Sequence, residues 1–110
     1  MRNSSLLNFT RGWLVGQFKP SLYSKDYEIG FKYYVQGDSE KSHQHLLSEE
    51  VTIVLFGEVR MNGQIYSEGD IVIQEKGEFS DFECLSDRAI LGVYRPDGSF
   101  PNDKHYKEVE

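Results

Sequence analysis

The chain is poor in cysteine and in long apolar runs. Its 110 residues include one cysteine, Cys84, which excludes an internal disulfide framework and fits a reducing compartment. The longest apolar run, residues 53–56, is far shorter than the roughly 20 residues that a membrane-spanning helix needs. The N-terminus breaks off after Leu6 and Leu7 and so lacks the apolar core of a secretion signal. We therefore expect a cytoplasmic protein.

Cationic residues are outnumbered by acidic ones. Twelve Lys and Arg stand against 18 Asp and Glu, which gives a net charge of −6 with neutral histidines. A protein that binds a nucleic-acid backbone or an anionic membrane surface needs clustered cations. The sequence therefore predicts neither of these partners, and a small-molecule ligand or substrate is expected instead.

Helix signals are also scarce, whereas strand and turn signals are frequent. Aromatic residues make up 14% of the chain, and ten glycines punctuate it. About eight short strands are predicted, among them residues 27–36, 50–56 and 89–95, and Asn62-Gly63 is typical of a type I′ hairpin turn. Since no long amphipathic helix or βαβ unit interrupts them, the sequence predicts an all-β sandwich or barrel.

Two of the three histidines, His43 and His45, lie two positions apart in a predicted strand, so both imidazoles project from one face. Glu50 begins the next alternating strand, and if it points inward then so does Phe56. Two imidazoles and one carboxylate that converge form a three-ligand set with open coordination positions, which suits iron, manganese, nickel, copper or zinc. A solvent-exposed pair on a polar edge is the alternative, because short motifs often arise by chance.

These residues belong to a longer pattern that consists of Gly37, five residues, His43, one residue, His45, four residues, Glu50, six residues and Gly57. The pattern resembles the first signature of the cupin superfamily, whose small members are single-domain, RmlC-like jelly-roll β-barrels (double-stranded β-helices). The resemblance implies that the two histidines and the glutamate bind a divalent metal ion at the centre of the barrel.

The second cupin signature is degenerate in this chain. Where the family usually has proline, glycine, the fourth metal-binding histidine and asparagine, the sequence has Glu75, Gly77, Ser80 and Cys84. Ser80 is a poor ligand at neutral pH, although its hydroxyl could orient a bound water. Cys84 shares the predicted face of Ser80 and is either a soft thiolate ligand or a buried, inert cysteine.

Further residues are candidates for the pocket around this site. Glu49 fits the looser form of the first signature, although Glu50 alone keeps six residues before the glycine. Glu49, Tyr33 and Tyr66 are equally plausible as a general acid or base, while aromatic residues at strand spacing are more typical of core packing. His105 reaches the barrel only if the C-terminal tail folds back.

The organisation is that of one folding unit. Residues 1–26 form an N-terminal strand segment that packs on the barrel or on a dimer partner, residues 27–96 form the barrel, and residues 97–110 form a polar tail that frays or makes a short turn. The resemblance implies a homodimeric, metal-dependent enzyme that isomerises, eliminates from or oxygenates a sugar, sugar acid or organic acid. A non-catalytic cupin that binds or senses a small ligand is the alternative, since the fourth histidine is missing.

Overall fold

The structure, a computed structural model, describes residues 1–107. Two single-turn 3₁₀ helices lie near the N-terminus, at Leu6–Asn8 and Thr10–Gly12. The other regular elements of the described residues are the strands β1 (Trp13–Gly16), β2 (Leu22–Tyr23), β3 (Glu28–Val35), β4 (Ser39–His45), β5 (Glu50–Phe56), β6 (Glu58–Met61), β7 (Gln64–Ser67), β8 (Ile71–Gln74), β9 (Ser80–Cys84), β10 (Arg88–Arg95) and β11 (Lys104–Tyr106). The all-β prediction is therefore confirmed. In this part of the chain no helix has the length and hydropathy needed to cross a membrane.

The strands form two sheets that face each other. The first has the order β2-β1-β3-β10-β5-β8, and the second has the order β11-β4-β9-β6-β7. All strand pairs are antiparallel except β1 with β2. Because β4 and β5 follow each other in the chain but belong to opposite sheets, the side chains that they direct inward meet between the sheets.

The buried apolar core contains residues of both sheets. It consists of Trp13, Val54, Val59, Met61, Phe82, Cys84, Ala89, Leu91 and Val93. Trp13 belongs to β1, which pairs with β3 of the same barrel, and its ring stacks on Phe18 with 5.5 Å between centroids. The N-terminal segment thus packs on the barrel of its own chain.

The Asn62-Gly63 turn joins β6 to β7 as predicted. Both residues have positive φ angles, 50° and 79°, as a type I′ turn requires. The predicted strand at residues 50–56 has the bounds of β5. Short-range turn chemistry and period-2 alternation were sufficient to place these elements.

Two expectations need correction. The tail was expected to fray or form a turn, but β11 pairs with β4, which places Lys104 opposite His45 and Tyr106 opposite His43. The pairing satisfies backbone hydrogen-bonding groups that the edge of β4 would otherwise leave without partners. Residues 108–110 of the predicted tail lie outside the described part of the chain. Phe56 does not share the inward face of Glu50. Its side chain is 54% exposed, because the pairing of β5 with β10 shifts register there and leaves Leu55 as an extra residue in β5.

Candidate ligand and metal site

His43 and His45 project from β4 into the space between the sheets. Both are buried, with 6% and 2% of their surface exposed, and their ring centroids are 5.3 Å apart. Nδ1 of His43 lies 2.9 Å from the carbonyl oxygen of Lys41, so this hydrogen bond orients the ring and leaves Nε2 for other contacts. The predicted common face of the two histidines is confirmed.

Glu50, at the start of β5, reaches the same space from the opposite sheet. Its Oε2 lies 3.5 Å from Nε2 of His45. The two histidines and this glutamate line one cavity of about 650 Å³, which lies between the sheets and opens to solvent. The structure therefore brings together the three residues that the first signature singled out.

A residue that the sequence analysis missed, Arg95, lies at the centre of this group. Its Nε and Nη2 donate to Oε2 of Glu50 at 3.0 and 2.8 Å, and Nη2 also donates to Nε2 of His45 at 3.1 Å. Its Nη1 donates to Oε2 of Glu28 at 3.1 Å, while Ser99 donates to Oε1 of the same carboxylate at 2.9 Å. One guanidinium group thus joins two carboxylates and one imidazole.

This guanidinium determines the protonation of its neighbours. Burial raises the pKa of Glu50, but the positive charge and hydrogen bonds of Arg95 outweigh burial and hold that pKa below its usual range. Burial, together with the charge of Arg95, lowers the pKa of His45 to about 4. At neutral pH His45 is therefore uncharged and accepts the Arg95 hydrogen bond on Nε2. Its proton is then on Nδ1, which is buried and has no hydrogen-bond partner among residues 1–107.

The donor atoms do not fit a metal ion in this arrangement. Nε2 of His45 and Oε2 of Glu50, which would be two of the three ligand atoms, both accept hydrogen bonds from Arg95. Within the described residues, no three His, Cys, Asp or Glu side chains are grouped as a metal would require. A divalent cation at this point would also be repelled by the adjacent guanidinium charge.

The remaining predicted site residues are dispersed. Ser80 lies opposite His43 in the β4–β9 pair and lines the cavity, where its hydroxyl donates to the carbonyl of Asp81 at 3.2 Å. Tyr33 also borders the cavity, and it is 47% exposed. His105 lies in β11 with about half of its side chain exposed.

Glu49 and Cys84 are not among the residues that line the cavity in the described part of the chain. The backbone N–H of Glu49 donates to Asp97 at the barrel rim. Cys84 is 1% exposed in the apolar core, and its Sγ contacts the carbonyl oxygen of Ser86 at 3.4 Å. Burial raises the pKa of this thiol, so the environment disfavours a thiolate.

The alternation of side chains along the strands predicts that the missed charged residues, Arg95 and Lys32, point inward. Arg95 falls on the same parity as the inward Leu91 and Val93, and Lys32 falls on the same parity as Glu28. The register of β10 with β3 pairs Arg95 directly with Glu28. Inward-pointing charges of opposite sign on neighbouring strands predict a buried ion pair.

Comparison with known proteins identifies the architecture. No protein-family model and no curated protein matches the chain. A similar solved structure is the DMSP lyase DddQ from Ruegeria pomeroyi DSS-3, with TM-score 0.74 and 22% identity over 94% of this chain, which spans 54% of the lyase chain. A conserved protein with a double-stranded β-helix domain from Klebsiella pneumoniae subsp. pneumoniae has TM-score 0.64 and 20% identity, with 90% of this chain and 88% of that chain covered.

A third similar structure is an RmlC-like cupin from Shewanella frigidimarina NCIMB 400, with TM-score 0.63, 18% identity and coverage of 73% and 72% of the two chains. Identities at this level establish the fold and leave the activity open. Two facing antiparallel sheets around a central cavity agree with these neighbours, and the chain has the fold of the cupins, the RmlC-like double-stranded β-helix.

Proposed function

We propose that the chain is a small-molecule-binding cupin whose barrel cavity takes a small metabolite with a carboxylate or similar anionic group. The cavity volume of about 650 Å³ lies within the range of small-molecule sites. Polar side chains converge on it from both sheets, among them His43, Ser80 and Gln74. A wall of this composition can hydrogen-bond a polar ligand in a space that is partly shielded from water.

The observation that carries the proposal is the position of Lys32 on the cavity wall. Of the three other cations of the wall, Arg95 and Lys104 are paired with carboxylates, and Arg11 lies over the Phe18 ring. Lys32 Nζ donates to the backbone carbonyl of Arg11 and lies 3.8 Å from the centre of the Trp13 ring, with no carboxylate within ion-pair distance among residues 1–107. An incoming carboxylate would supply the counter-charge that this ammonium lacks.

Ligand-dependent thermal stabilisation tests the proposal. A panel of small carboxylates and sugar acids is compared with uncharged sugars and amides of similar size. A ligand at about ten times its Kd stabilises the folded state by about 1.4 kcal/mol, which raises the Tm of a domain of this size by several degrees. Lys32→Met should abolish the shift. The matched control, Lys76→Met, should preserve it, because Lys76 is exposed and does not line the cavity.

Metal-assisted catalysis by His43, His45 and Glu50 is the second candidate. It is supported by their meeting in one cavity and by the similarity to a lyase, and it requires Arg95 to withdraw from the His45 and Glu50 atoms that it contacts. The reaction would be the isomerisation, elimination or oxygenation of a sugar, sugar acid or organic acid. The metal ion would be iron, manganese, nickel, copper or zinc. Stoichiometric metal in the purified protein, lost in His43→Ala and in His45→Ala, would favour this candidate over simple binding.

A further inference from the structure

The position of Arg95 suggests a different use of the donors His45 and Glu50. Its guanidinium lies between Nε2 of His45 and Oε2 of Glu50, where a shared cation would have to lie. Four of the five guanidinium N–H groups are engaged by Glu50, His45 and Glu28. We infer that Arg95 takes the place of a metal ion at His45 and Glu50, so that an internal cation holds these two donor side chains.

Arg95 is also fixed in this position from its other side. Glu28 is completely buried, and its nearest cation is Arg95 Nη1 at 3.1 Å. The guanidinium carbon lies 4.9 Å from the centre of the Trp13 ring, which closes one face of the group. If Arg95 swung out to admit a metal, it would leave the Glu28 carboxylate buried without a counter-charge, which is strongly unfavourable.

This arrangement makes the barrel independent of metal for holding its shape. The inference concerns the same cavity as the proposed function, but it does not depend on which ligand binds there. A failure of carboxylates to stabilise the protein would leave it untouched, and the measurements below address it without any ligand. It also gives a role to His45 and Glu50 that does not need a fourth histidine at the position of Ser80.

Metal uptake by charge-matched variants tests the inference. Wild-type protein is incubated with excess Co²⁺ or Zn²⁺, dialysed and assayed by elemental analysis and, for cobalt, by visible absorption. We expect less than about 0.1 equivalents. Arg95→Met combined with Glu28→Gln frees His45 and Glu50 without leaving the fully buried Glu28 carboxylate unpaired, and it should take up about one equivalent. Adding His45→Ala to this double variant should abolish uptake.

Two results would overturn the inference. One is a full equivalent of tightly held metal in the wild type, lost in His45→Ala. The other is a folded Arg95→Met/Glu28→Gln protein that takes up no more metal than the wild type, since Arg95 would then not be what occupies the site. Should the double variant unfold, Mn²⁺ added to wild type decides the matter: imidazole NMR signals of His43 and His45 should stay sharp, and their selective broadening would contradict the assignment.

A second, independent observation concerns the outer surface of the first sheet. Its inward positions are polar at the end that holds Glu28 and Arg95 and apolar further along, at Val54, Leu91 and Val93, whereas its outward positions are apolar. One outward row runs across β3, β10, β5 and β8 as Ile29, Tyr94, Val51 and Ile73, which are cross-strand partners. An outer face that is covered only by solvent usually carries polar side chains, so this apolar row departs from the usual alternation.

The next outward row is apolar as well. It consists of Phe31, Gly92, Ile53 and Ile71. A Cβ atom placed on Gly92 would lie 3.0–3.7 Å from atoms of Ile53, Leu55 and Phe31, so these side chains meet over the glycine. We call these two rows, with Leu55, the outer apolar face. Its edge residues Ile71 and Ile73 are each 58% exposed.

We further propose that the outer apolar face is a homodimer interface at which two copies pack sheet on sheet. None of its nine residues is charged, so it complements itself under a two-fold axis without needing matched charges on another protein.

Sedimentation or light scattering between about 1 and 100 µM tests the interface. We expect wild-type protein at twice the chain mass of 12.7 kDa, and Ile73→Lys and Ile71→Glu at the monomer mass with unchanged circular dichroism. The matched control is Ile65→Lys, because Ile65 is 56% exposed but lies on β7 of the other sheet. It should remain a dimer. A monomeric wild type at 100 µM, or a dimer that survives both face substitutions, would refute the proposal.

Discussion

Replacing Arg95 by methionine should destabilise the protein far more than a typical substitution. The change keeps an apolar stem but removes the charge that Glu28 and Glu50 share. Glu28 has no solvent exposure, so it would be left as an unpaired buried carboxylate. Removing one partner of a buried ion pair costs about 3–5 kcal/mol, a large share of the 5–15 kcal/mol that stabilises an ordinary domain.

The double-mutant cycle separates the loss of the ion pair from other effects. Glu28→Gln alone removes one partner, and its amide oxygen can still accept the Ser99 hydroxyl hydrogen bond. Combining it with Arg95→Met should restore half or more of the stability lost in Arg95→Met alone, because no uncompensated charge then remains at residue 28. The expected coupling between the two positions is therefore at least about 1 kcal/mol.

Urea unfolding measures these differences directly. Trp13 is the single tryptophan of the chain and lies against Arg95, so its fluorescence reports on the site, while circular dichroism reports on the sheets. The loss expected for Arg95→Met corresponds to a fall in Tm of roughly 10–20 °C. A loss below about 1 kcal/mol, or a double variant whose loss equals the sum of the two single losses, would refute the view that Arg95 is the counter-charge of Glu28.

Three further predictions follow from the surroundings of single side chains, those of His45, Lys32 and Cys84. The folded-state pKa of His45, about 4, lies below its ordinary value of 6.5, so the unfolded state binds the extra proton first. The free energy of unfolding should therefore fall as the pH drops from 6.5 towards 4. Urea midpoints of wild type and His45→Gln, measured across this range, check the prediction, and parallel curves of midpoint against pH would contradict it. Burial and the charge of Arg95 lower the pKa of Lys32 to about 7. Because Lys32 then loses its charge as the pH rises from 6 to 8, the affinity for a carboxylate should weaken over this range. Titration calorimetry that shows no such decline would exclude Lys32 as the binding cation. Cys84 should react with a disulfide reagent only after unfolding, and rapid labelling of folded protein would show that the thiol is accessible.

The parts of the fold that were predictable depend on local rules. The Asn62-Gly63 turn follows from residues that tolerate positive φ, and the shared face of His43 and His45 follows from the period of a strand. Gly57 also has a local reason, since a Cβ there would lie 2.2 Å from the carbonyl oxygen of Arg88 at a φ of +86°. Spacing alone was enough for these features.

The parts that were missed depend on contacts between distant segments. The pairing of β11 with β4 joins residues about 60 positions apart, and nothing in the polar tail indicates which strand it will meet. The register shift that turns Phe56 outward leaves Leu55 unpaired in β5, and it is defined only by the pairing with β10, more than 30 residues later. Arg95 was read as the end of an apolar strand, because its role becomes visible only when Glu28, His45 and Glu50 are brought around it.

The polar end of the interior and the apolar exterior of the first sheet have a common cause. Each strand has only two faces, so the inward positions that hold Glu28, Lys32, Glu50 and Arg95 cannot also supply apolar burial at that end of the barrel. Burial of the outer apolar face against a second copy would add hydrophobic stabilisation. A polar ligand cavity inside the barrel thus favours an apolar contact outside it, and stability should rise with protein concentration.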